Sequence, residues 1–558
     1  MAAGTGEGEI HFPEPIIQRI QSFLDSKAAA QTSIVSKSWH SAWLTRPNLD
    51  FDETYFFRRS IDHYQPQHVP IGDFKQYAMK TIKRYEQSNL KIESFNLCMQ
   101  IDQYDRDDEL VKKLIVKAMR IGATRLFLPV ISFNNKFVLP NEVFGADNLV
   151  ELSVSGCRIK LDDGLVIKCR SLESLSIDFC VHISIDTISE IVSSCPSIEK
   201  LSLLPNIYSH YDEYENMWDD VIIGVEERGQ RVDDVAVDDV AATAMAVGVV
   251  DNLIPNLRCL VLSYVWFKTL CLGDLLSRFL LLKDFTLYLD GDIILEEGIQ
   301  ISSSSLVSIN LLLRCFKSYN EVRKPRIKFD VPNVRKFTLK GAVIPCLSFM
   351  STPPPSREWE CHLSIECKND GFCFSTIWFN ELSELLTELS QSKTHLSLDV
   401  GRNKSSFDYK VGDKIIQGLR RHELENLTID MTNLPSYSCY ALFDGLFRLC
   451  RPKLITQYYK DKGRYSHLYG NYSEIEKTNI DFLCQTLEEG INLKVSSPTQ
   501  FMYGLNDLEE VNAQAFDMDD VTAEWKPIPF ESLLEWDTPY KHVQAKQKIR
   551  LLLKWKTS

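Results

Sequence analysis

Asn148–Cys157 reads NLVELSVSGC, and Ser171–Cys180 reads SLESLSIDFC. Both fit the frame Leu-x-x-Leu-x-(Val/Ile)-x-x-Cys, and a second cysteine stands three residues before the first apolar position at Cys169 and Cys195. Alternation at the centre of the frame is the period of a strand, which sends every second side chain to one face. The same core recurs at Ile92/Phe95/Leu97, Ala123/Leu126/Leu128, Ile198/Leu201, Leu257/Leu260/Leu262, Leu282/Phe285/Leu287, Leu306/Ile309/Leu311, Val334/Phe337/Leu339 and Leu424/Leu427/Ile429. From Ala123 the copies advance by 26, 23 and 26 residues, and from Leu257 by 25, 24 and 28. A single unit of this length cannot close a core, so its apolar positions are satisfied only by stacking on its neighbours. Cysteine suits the corners, because it buries readily and its thiol is a weak hydrogen-bonding group.

The pattern resembles the cysteine-containing leucine-rich repeat, whose period is about 20–29 residues. The resemblance implies an α/β solenoid, with parallel strands on the concave face and helices or irregular segments on the convex one. Residues that alternate with the apolar core then face the concave side: Glu151, Ser153 and Ser155, then Ser174, Ser176 and Asp178, then Lys200 and Ser202, and later Asp284, Thr286 and Tyr288, then Lys336, Thr338 and Lys340. Binding energy concentrates in aromatic and long cationic side chains, which makes Tyr288, Lys336 and Lys340 the candidate anchors for a protein target.

Upstream, residues 12–52 read FPEPIIQRIQSFLDSKAAAQTSIVSKSWHSAWLTRPNLDFD. Ile16, Ile17, Ile20, Phe23 and Leu24 recur at helical spacing behind Pro13 and Pro15, which suit only a first turn. Asp25 and Ser26 offer caps for a second helix over Lys27 to Val35, and Val35, Trp39 and Trp43 stack at i, i+4, i+8 on a third. So small a unit cannot bury all of this apolar surface by itself. Phe12-Pro13, Ile16-Ile17, Ile20, Phe23-Leu24, Val35 to Trp39 and Trp43, with the exit Pro47, Leu49, Phe51, Asp52, resemble the F-box in its plant form; Phe12 stands where leucine is usual. That resemblance implies docking on a Skp-type adaptor, and through it on a cullin, by Phe12, Pro13, Ile16, Ile17, Ile20, Val35 and Trp39.

Composition narrows the remaining possibilities. The 558 residues carry a formal charge of −14, which argues against nucleic acid or an anionic membrane as the main partner. The first residues, MAAGTGEGEIHF, lack the basic and apolar regions of a secretory signal. The best apolar stretches, Val240 to Val250 and Cys259 to Leu289, are too short to span a bilayer or are broken by charges. Fifteen cysteines then read as reduced thiols of the cytoplasm or nucleus. Cys361, His362, Cys367 and Cys373 are the best zinc candidates, but no Cys-x-x-Cys pair exists and Cys361 and Cys367 share one face of a strand, so no metal or other cofactor is expected. Phosphate-loop, His-Glu-x-x-His and Gly-x-Ser-x-Gly motifs are missing, and the chain is not read as an enzyme. Val322 to Lys328 (VRKPRIK) reads as a solvated strand edge.

Tyr208 to Val250 interrupts the repeats with eleven Asp or Glu against two Arg and is expected to be a disordered acidic insertion. Between Val334 and Leu424 the repeats turn irregular, with Thr394 to Val400 as the one clear strand core. Ala441 to Leu454 reads as a helix ending before Pro452, followed by a strand, and Ile480 to Leu487 as another helix. Glu509 to Asp520 is a mixed acidic stretch. The expected organisation is an F-box at 11–52, a helical linker at 53–91, a solenoid at 92–430 containing the insertion at 208–250, and the last repeats with a C-terminal cap at 431–558. The resemblances imply the substrate-recognition subunit of a Skp-cullin-F-box ubiquitin ligase, acting in the nucleus, the cytoplasm or both. Rival readings are an F-box scaffold without a degradative role and, less favoured, a small-molecule co-receptor.

Overall fold

Each apolar triplet read above becomes one strand, paired in register with the strands of the neighbouring repeats. The computed structural model describes residues 12–24, 26–53, 71–101, 107–132, 137–162, 164–180, 183, 185–205, 254–263, 272–290, 298–314, 324–350, 359–367, 375–400, 421–430, 436–457, 483–492, 505–517, 524–534 and 547–556. The acidic stretch Tyr208 to Val250 and Cys373 lie outside these residues. The chain divides into two units, Met1–Leu270 and Cys271–Ser558.

The first unit opens with three short helices, α1 (Glu14–Gln21), α2 (Ser26–Thr32) and α3 (Lys37–Thr45). Its described strands are β1 (Asn48–Asp52), β2 (Ser94–Ile101), β3 (Arg125–Ser132), β4 (Glu151–Ser155), β5 (Ser174–Cys180), β6 (Lys200–Pro205) and β7 (Cys259–Ser263). They pair in chain order, all parallel. Register puts Leu49, Phe95, Leu126, Leu152, Leu175, Leu201 and Leu260 in one buried row. Leu128, Val154, Ile177, Leu203 and Leu262 form a second.

Two features of this unit differ from the sequence reading. The exit Leu49-Asp-Phe51 is a strand of the sheet, and its Leu49 and Phe51 are buried with the repeat core. Within the stretch read as a helical linker, the helix α4 (Ile71–Gln87) is packed into the unit, burying Phe74, Ala78, Ile82 and Tyr85 along one stripe. The Tyr85 hydroxyl donates to the Arg46 carbonyl at 2.7 Å, and Lys117 of α5 (Asp107–Ile121) pairs with Glu86, so α4 has the role of a repeat's returning helix. A further helix, α6 (Ile185–Ser194), returns the chain from β5 to β6.

In the second unit a short helix, α7 (Leu272–Arg278), precedes the strands. They are β8 (Asp284–Asp290), β9 (Ile299–Ser302), β10 (Ser308–Arg314), β11 (Arg326–Asp330), β12 (Lys336–Gly341), β13 (Cys346–Phe349), β14 (Glu360–Cys367), β15 (Lys393–Val400), β16 (His422–Leu424), β17 (Asn426–Asp430), β18 (Cys450–Pro452), β19 (Leu454–Gln457), β20 (Leu508–Asp517), β21 (Lys526–Ile528) and β22 (Gln547–Trp555). The main ladder runs β8-β10-β12-β14-β15-β17-β19 in parallel. Leu287, Leu311, Leu339, Leu363, Leu396, Leu427 and Ile455 form its buried row. A smaller parallel sheet, β9-β11-β13, contributes Phe329 and Phe349, which pack with Phe337 and Trp359. Strands β16 and β18 form a separate two-stranded parallel ladder of three residue pairs.

The region between Val334 and Leu424 is more regular than its sequence suggests. Just past the buried Trp359, Cys361-x-Leu363-x-Ile365 lies in β14 in register with both neighbours, and α8 (Thr376–Glu388) buries Trp378, Phe379, Leu382 and Leu386. The helix read from Ala441 starts earlier, as α9 (Ser436–Leu449), and Gly445 is the point where α9 meets α8: a Cβ there would lie 2.1 Å from the Phe379 ring. The second predicted apolar helix spans 483–492.

The stretch read as mixed and acidic, Glu509 to Asp520, is largely strand β20. It pairs antiparallel with β22, the closing QKIRLLLKW, and β22 in turn pairs antiparallel with β19. Asp507 accepts from Arg421 and Arg451 at 2.5 Å each, and the Trp555 indole donates to the Pro452 carbonyl at 2.8 Å. These bonds fasten the tail to the last repeats.

Candidate protein-docking surfaces

Helix α1 is inside out for a helix of an isolated domain. The residues it buries are Ile17 and Gln21, one turn apart, while Ile16 and Ile20 on the adjoining face are 49% and 37% exposed. Two glutamines explain this inversion. Gln21 donates to Thr32 Oγ1 at 2.9 Å and to the Trp39 carbonyl at 3.2 Å. Gln18 donates to Thr45 Oγ1 at 2.9 Å, and Thr45 in turn donates to Glu14 at 2.6 Å. Polar groups thus tie α1 to α2 and α3, and the aliphatic residues are left facing out. A buried amide is retained where its hydrogen bonds specify one arrangement.

Beyond α1 the apolar surface continues through Phe23, 73% exposed, and through Ile34 and Val35 at 86% and 66%. Phe12, Pro13 and Leu24 are exposed as well. Single exposed apolar residues are ordinary on a protein surface, but so many within a short stretch mark an interaction site.

Seven residues were expected to share this surface, and the structure separates them. Phe12, Pro13, Ile16, Ile20 and Val35 are exposed and Trp39 is half-buried, whereas Ile17 is fully buried and belongs to the internal packing of the three helices. Helix α2 stops at Thr32, so Val35 lies outside any helix instead of heading the i, i+4, i+8 stack. Ser36 caps α3, accepting from the Trp39 amide at 3.4 Å. Ser26, expected as a cap, is the first helical residue and donates to the Asp50 carbonyl at 2.8 Å, while Arg46 donates to its hydroxyl at 3.0 Å. Asp25 lies outside the described residues.

The second surface is the sheet face opposite the buried rows. In the first unit Ser153, Ser176 and Ser202 stand side by side on adjacent strands. Asp178 accepts from Ser176 at 2.5 Å and from Ser202 at 2.9 Å. Burial nevertheless holds its carboxyl above the usual range, against the lowering effect of those two hydroxyls. A raised folded-state value means that the folded chain binds this proton more tightly than the unfolded one. The stabilisation is therefore complete below the ordinary carboxylate range and is lost as pH rises through the folded value. Asp178→Asn, uncharged throughout, should gain stability relative to the parent between pH 4 and pH 7. Denaturant melts at both pH values check this, and a parent that gains on the variant instead would contradict the assignment.

In the second unit Lys336 and Lys340 are exposed on β12 and Tyr288 is half-buried on β8. Tyr288 and Lys340 share one row but are separated by Leu312 of β10, about 10 Å apart at the usual strand spacing. Lys336 lies in another row, between Ser308 and Glu360. One pair on this face was not anticipated. His362 of β14 and His395 of β15 are register partners whose rings stack at 4.7 Å with planes 13° apart. They lie 33 positions apart in sequence, so only strand register brings them together; that each precedes a leucine, Leu363 or Leu396, in an alternating segment was the available signal.

Metal chemistry finds no support in the residues described. Cys361 and Cys367 point into the core beneath the sheet, whereas His362 is on its outer face, and no group of three or more ligating side chains able to hold an ion occurs among the described residues. Burial pushes the Cys169 thiol up to about 11 and that of Cys450 to about 12, as befits packing groups. No helix among the described residues is long and apolar enough to cross a membrane.

No protein-family model matches the chain. Several curated proteins of Arabidopsis thaliana are similar to it. An F-box/LRR-repeat protein is 29% identical over 204 residues, 36% of this chain and 40% of the relative. Another is 28% identical over 198 residues, 34% of this chain and 35% of the relative, and an FBD-associated F-box protein is 24% identical over 200 residues, 36% and 43%. The chain spans less than half the length of the curated relatives it matches. These similarities, each over about a third of the chain, are to plant F-box/leucine-rich-repeat proteins, and the in-register repeat rows of both units agree with them.

Proposed function

We propose that the chain is a substrate-recognition subunit of a Skp-cullin-F-box ubiquitin ligase, working in the nucleus or cytoplasm. The observation that carries this reading is the outward apolar stripe of the N-terminal helices, Phe12, Ile16, Ile20, Phe23 and Val35, held out by the Gln18 and Gln21 hydrogen bonds beneath it. Its occupant in this reading is a Skp-type adaptor, which links the chain to a cullin. The sheet faces then hold a protein target beside the ubiquitin-charged enzyme. No bond is made or broken by this chain; it supplies proximity, replacing a bimolecular encounter with one at high effective concentration.

The test is affinity purification of the full-length chain under proteasome inhibition. A Skp-type adaptor, a cullin and a ubiquitinated third protein should be captured together, and that third protein should persist longer when the chain is removed. Capture of the adaptor with unchanged lifetimes of every co-purified protein would favour a non-degradative scaffold instead.

A further inference from the structure

Cys157 and Cys180, which close the repeat frames NLVELSVSGC and SLESLSIDFC, meet inside the first unit. Their exposures are 2% and 5%, and their sulfurs lie 3.6 Å apart. Alternation alone does not bring them there. Ser155 of β4 and Asp178 of β5 are register partners on the open sheet face, and each cysteine stands two residues further on, so unbroken strands would turn both thiols outward. Two separate irregularities turn them inward instead. Gly156 takes φ at +72°, a region open mainly to glycine, and β5 shifts register against β6 between Asp178 and Cys180. The Gly156 amide donates to the Asp178 carbonyl at 3.3 Å, so the two backbones stay paired beside the sulfurs. One strand spacing, about 4.8 Å, lies within the Cα separation that a disulfide spans. The thiol of Cys169, by contrast, donates to the carbonyls of Val143 and Phe144 at 3.4 and 3.3 Å.

We infer that Cys157 and Cys180 are a redox-sensitive pair, two thiols that hydrogen peroxide converts reversibly into a disulfide joining successive repeats. Cys157 holds its proton more tightly than an ordinary thiol, first through its hydrogen bond with the Cys180 sulfur and then through burial. Cys180 is therefore the attacking sulfur. As thiolate it takes one peroxide oxygen, the O–O bond breaks, hydroxide leaves as water after protonation, and a sulfenic acid forms on Cys180. The Cys157 sulfur then attacks Cys180, the S–S bond forms, the S–O bond breaks and a second water leaves. The two thiols lose two electrons and two protons, and one peroxide becomes two waters. Burial makes the reaction slow and gates it by local opening at the end of β5. The bond spans 23 positions of sequence and so restricts the unfolded chain, which makes oxidation stabilising. This device is independent of the receptor reading above.

The experiment treats the freshly reduced full-length chain with hydrogen peroxide, blocks remaining thiols with iodoacetamide and maps the peptides by mass spectrometry without reduction. The main intramolecular product should be the Cys157 peptide joined to the Cys180 peptide, lighter than their sum by two hydrogens, and dithiothreitol should restore both thiols. By differential scanning fluorimetry the oxidised chain should melt higher by about 3 °C or more, and the rise should vanish on reduction. Cys157→Ala and Cys180→Ala should each abolish the rise, whereas Cys169→Ala should keep it. Oxidation confined to the exposed Cys346, with Cys157 and Cys180 recovered as free thiols, would overturn the inference. So would cross-linking of Cys157 to Cys169 or Cys195 as often as to Cys180, a cross-link that leaves the midpoint unchanged or lowers it, or a rise that survives Cys157→Ala. The peptide map and the reversible rise are read on the parent chain, so they decide the matter even where a variant fails to fold.

Discussion

Replacing Ile16 and Ile20 together by Asp should abolish capture of a Skp-type adaptor while leaving the melting of the chain unchanged. Both side chains project from the unburied face of α1, so neither change removes internal packing, and exposed substitutions of this kind move stability by about 0.5 kcal/mol or less. At an interface the same residues would be central apolar anchors. Losing two such anchors and forcing two carboxylates against an apolar partner should cost about 3 kcal/mol or more, over a hundred-fold in Kd. Ile17→Asp is the contrasting variant. Its side chain is fully buried, and an unpaired carboxylate there should unfold the three helices and remove binding indirectly. Far-UV circular dichroism with a pull-down separates the cases. Adaptor capture undiminished in the folded Ile16/Ile20 variant would mean that this stripe is not the docking face.

Gly341→Ala should be among the most damaging single-methyl changes in the second unit. Gly341 ends β12 with φ at +154°, where side chains are rarely tolerated, and a Cβ there would sit 2.1 Å from the Leu313 carbonyl oxygen and 2.8 Å from the Leu313 Cβ. The obstacle is backbone of the paired strand β10, which cannot rotate aside as a side chain could. Backbone strain plus displacement of a packed strand should cost about 3 kcal/mol or more, lowering the thermal midpoint by roughly 5 °C or more. Gly164→Ala provides the control, because Gly164 also has positive φ, at +80°, but no heavy atom lies within 4 Å of the added methyl. Its cost should be limited to the backbone term, about 1 kcal/mol. Equal shifts in the two variants, measured by differential scanning calorimetry, would exclude the steric account.

Much of this architecture was legible because a repeat states its rule many times. Leu-x-x-Leu-x-Leu frames located β2 to β8, β10 and β12, and alternation assigned their faces. Reading failed where a strand lacked the leucine frame. Strand β1 has Arg46 where the first apolar residue would stand, and β14 fills its inward positions with Cys361 and Cys367, which drew attention as metal candidates instead. The N-terminal helices show a different limit. Helical periodicity marks Ile16, Ile17 and Ile20 as one broad apolar face, but which edge of it turns inward is decided by Gln18 and Gln21, whose partners lie 11 to 27 residues away. Likewise, no local pattern could pair His362 with His395, because their contact is a property of register between strands.

The order in which the second unit can assemble follows from its closing strand. Neighbouring parallel strands such as β8, β10 and β12 join residues 24 to 28 apart, as Phe285, Ile309 and Phe337 illustrate, so the repeat ladder can zip along from local encounters. Its last edge is different: Leu454 meets Leu552, and almost a hundred intervening residues must be drawn in before that pair forms. Loop closure over such a span adds only a modest equilibrium cost but delays the encounter. Until β22 arrives, β19 presents a row of unpaired amides and carbonyls, the template for wrong pairing with another chain. For this protein the vulnerable moment in folding is therefore the interval between a finished ladder and its covered edge.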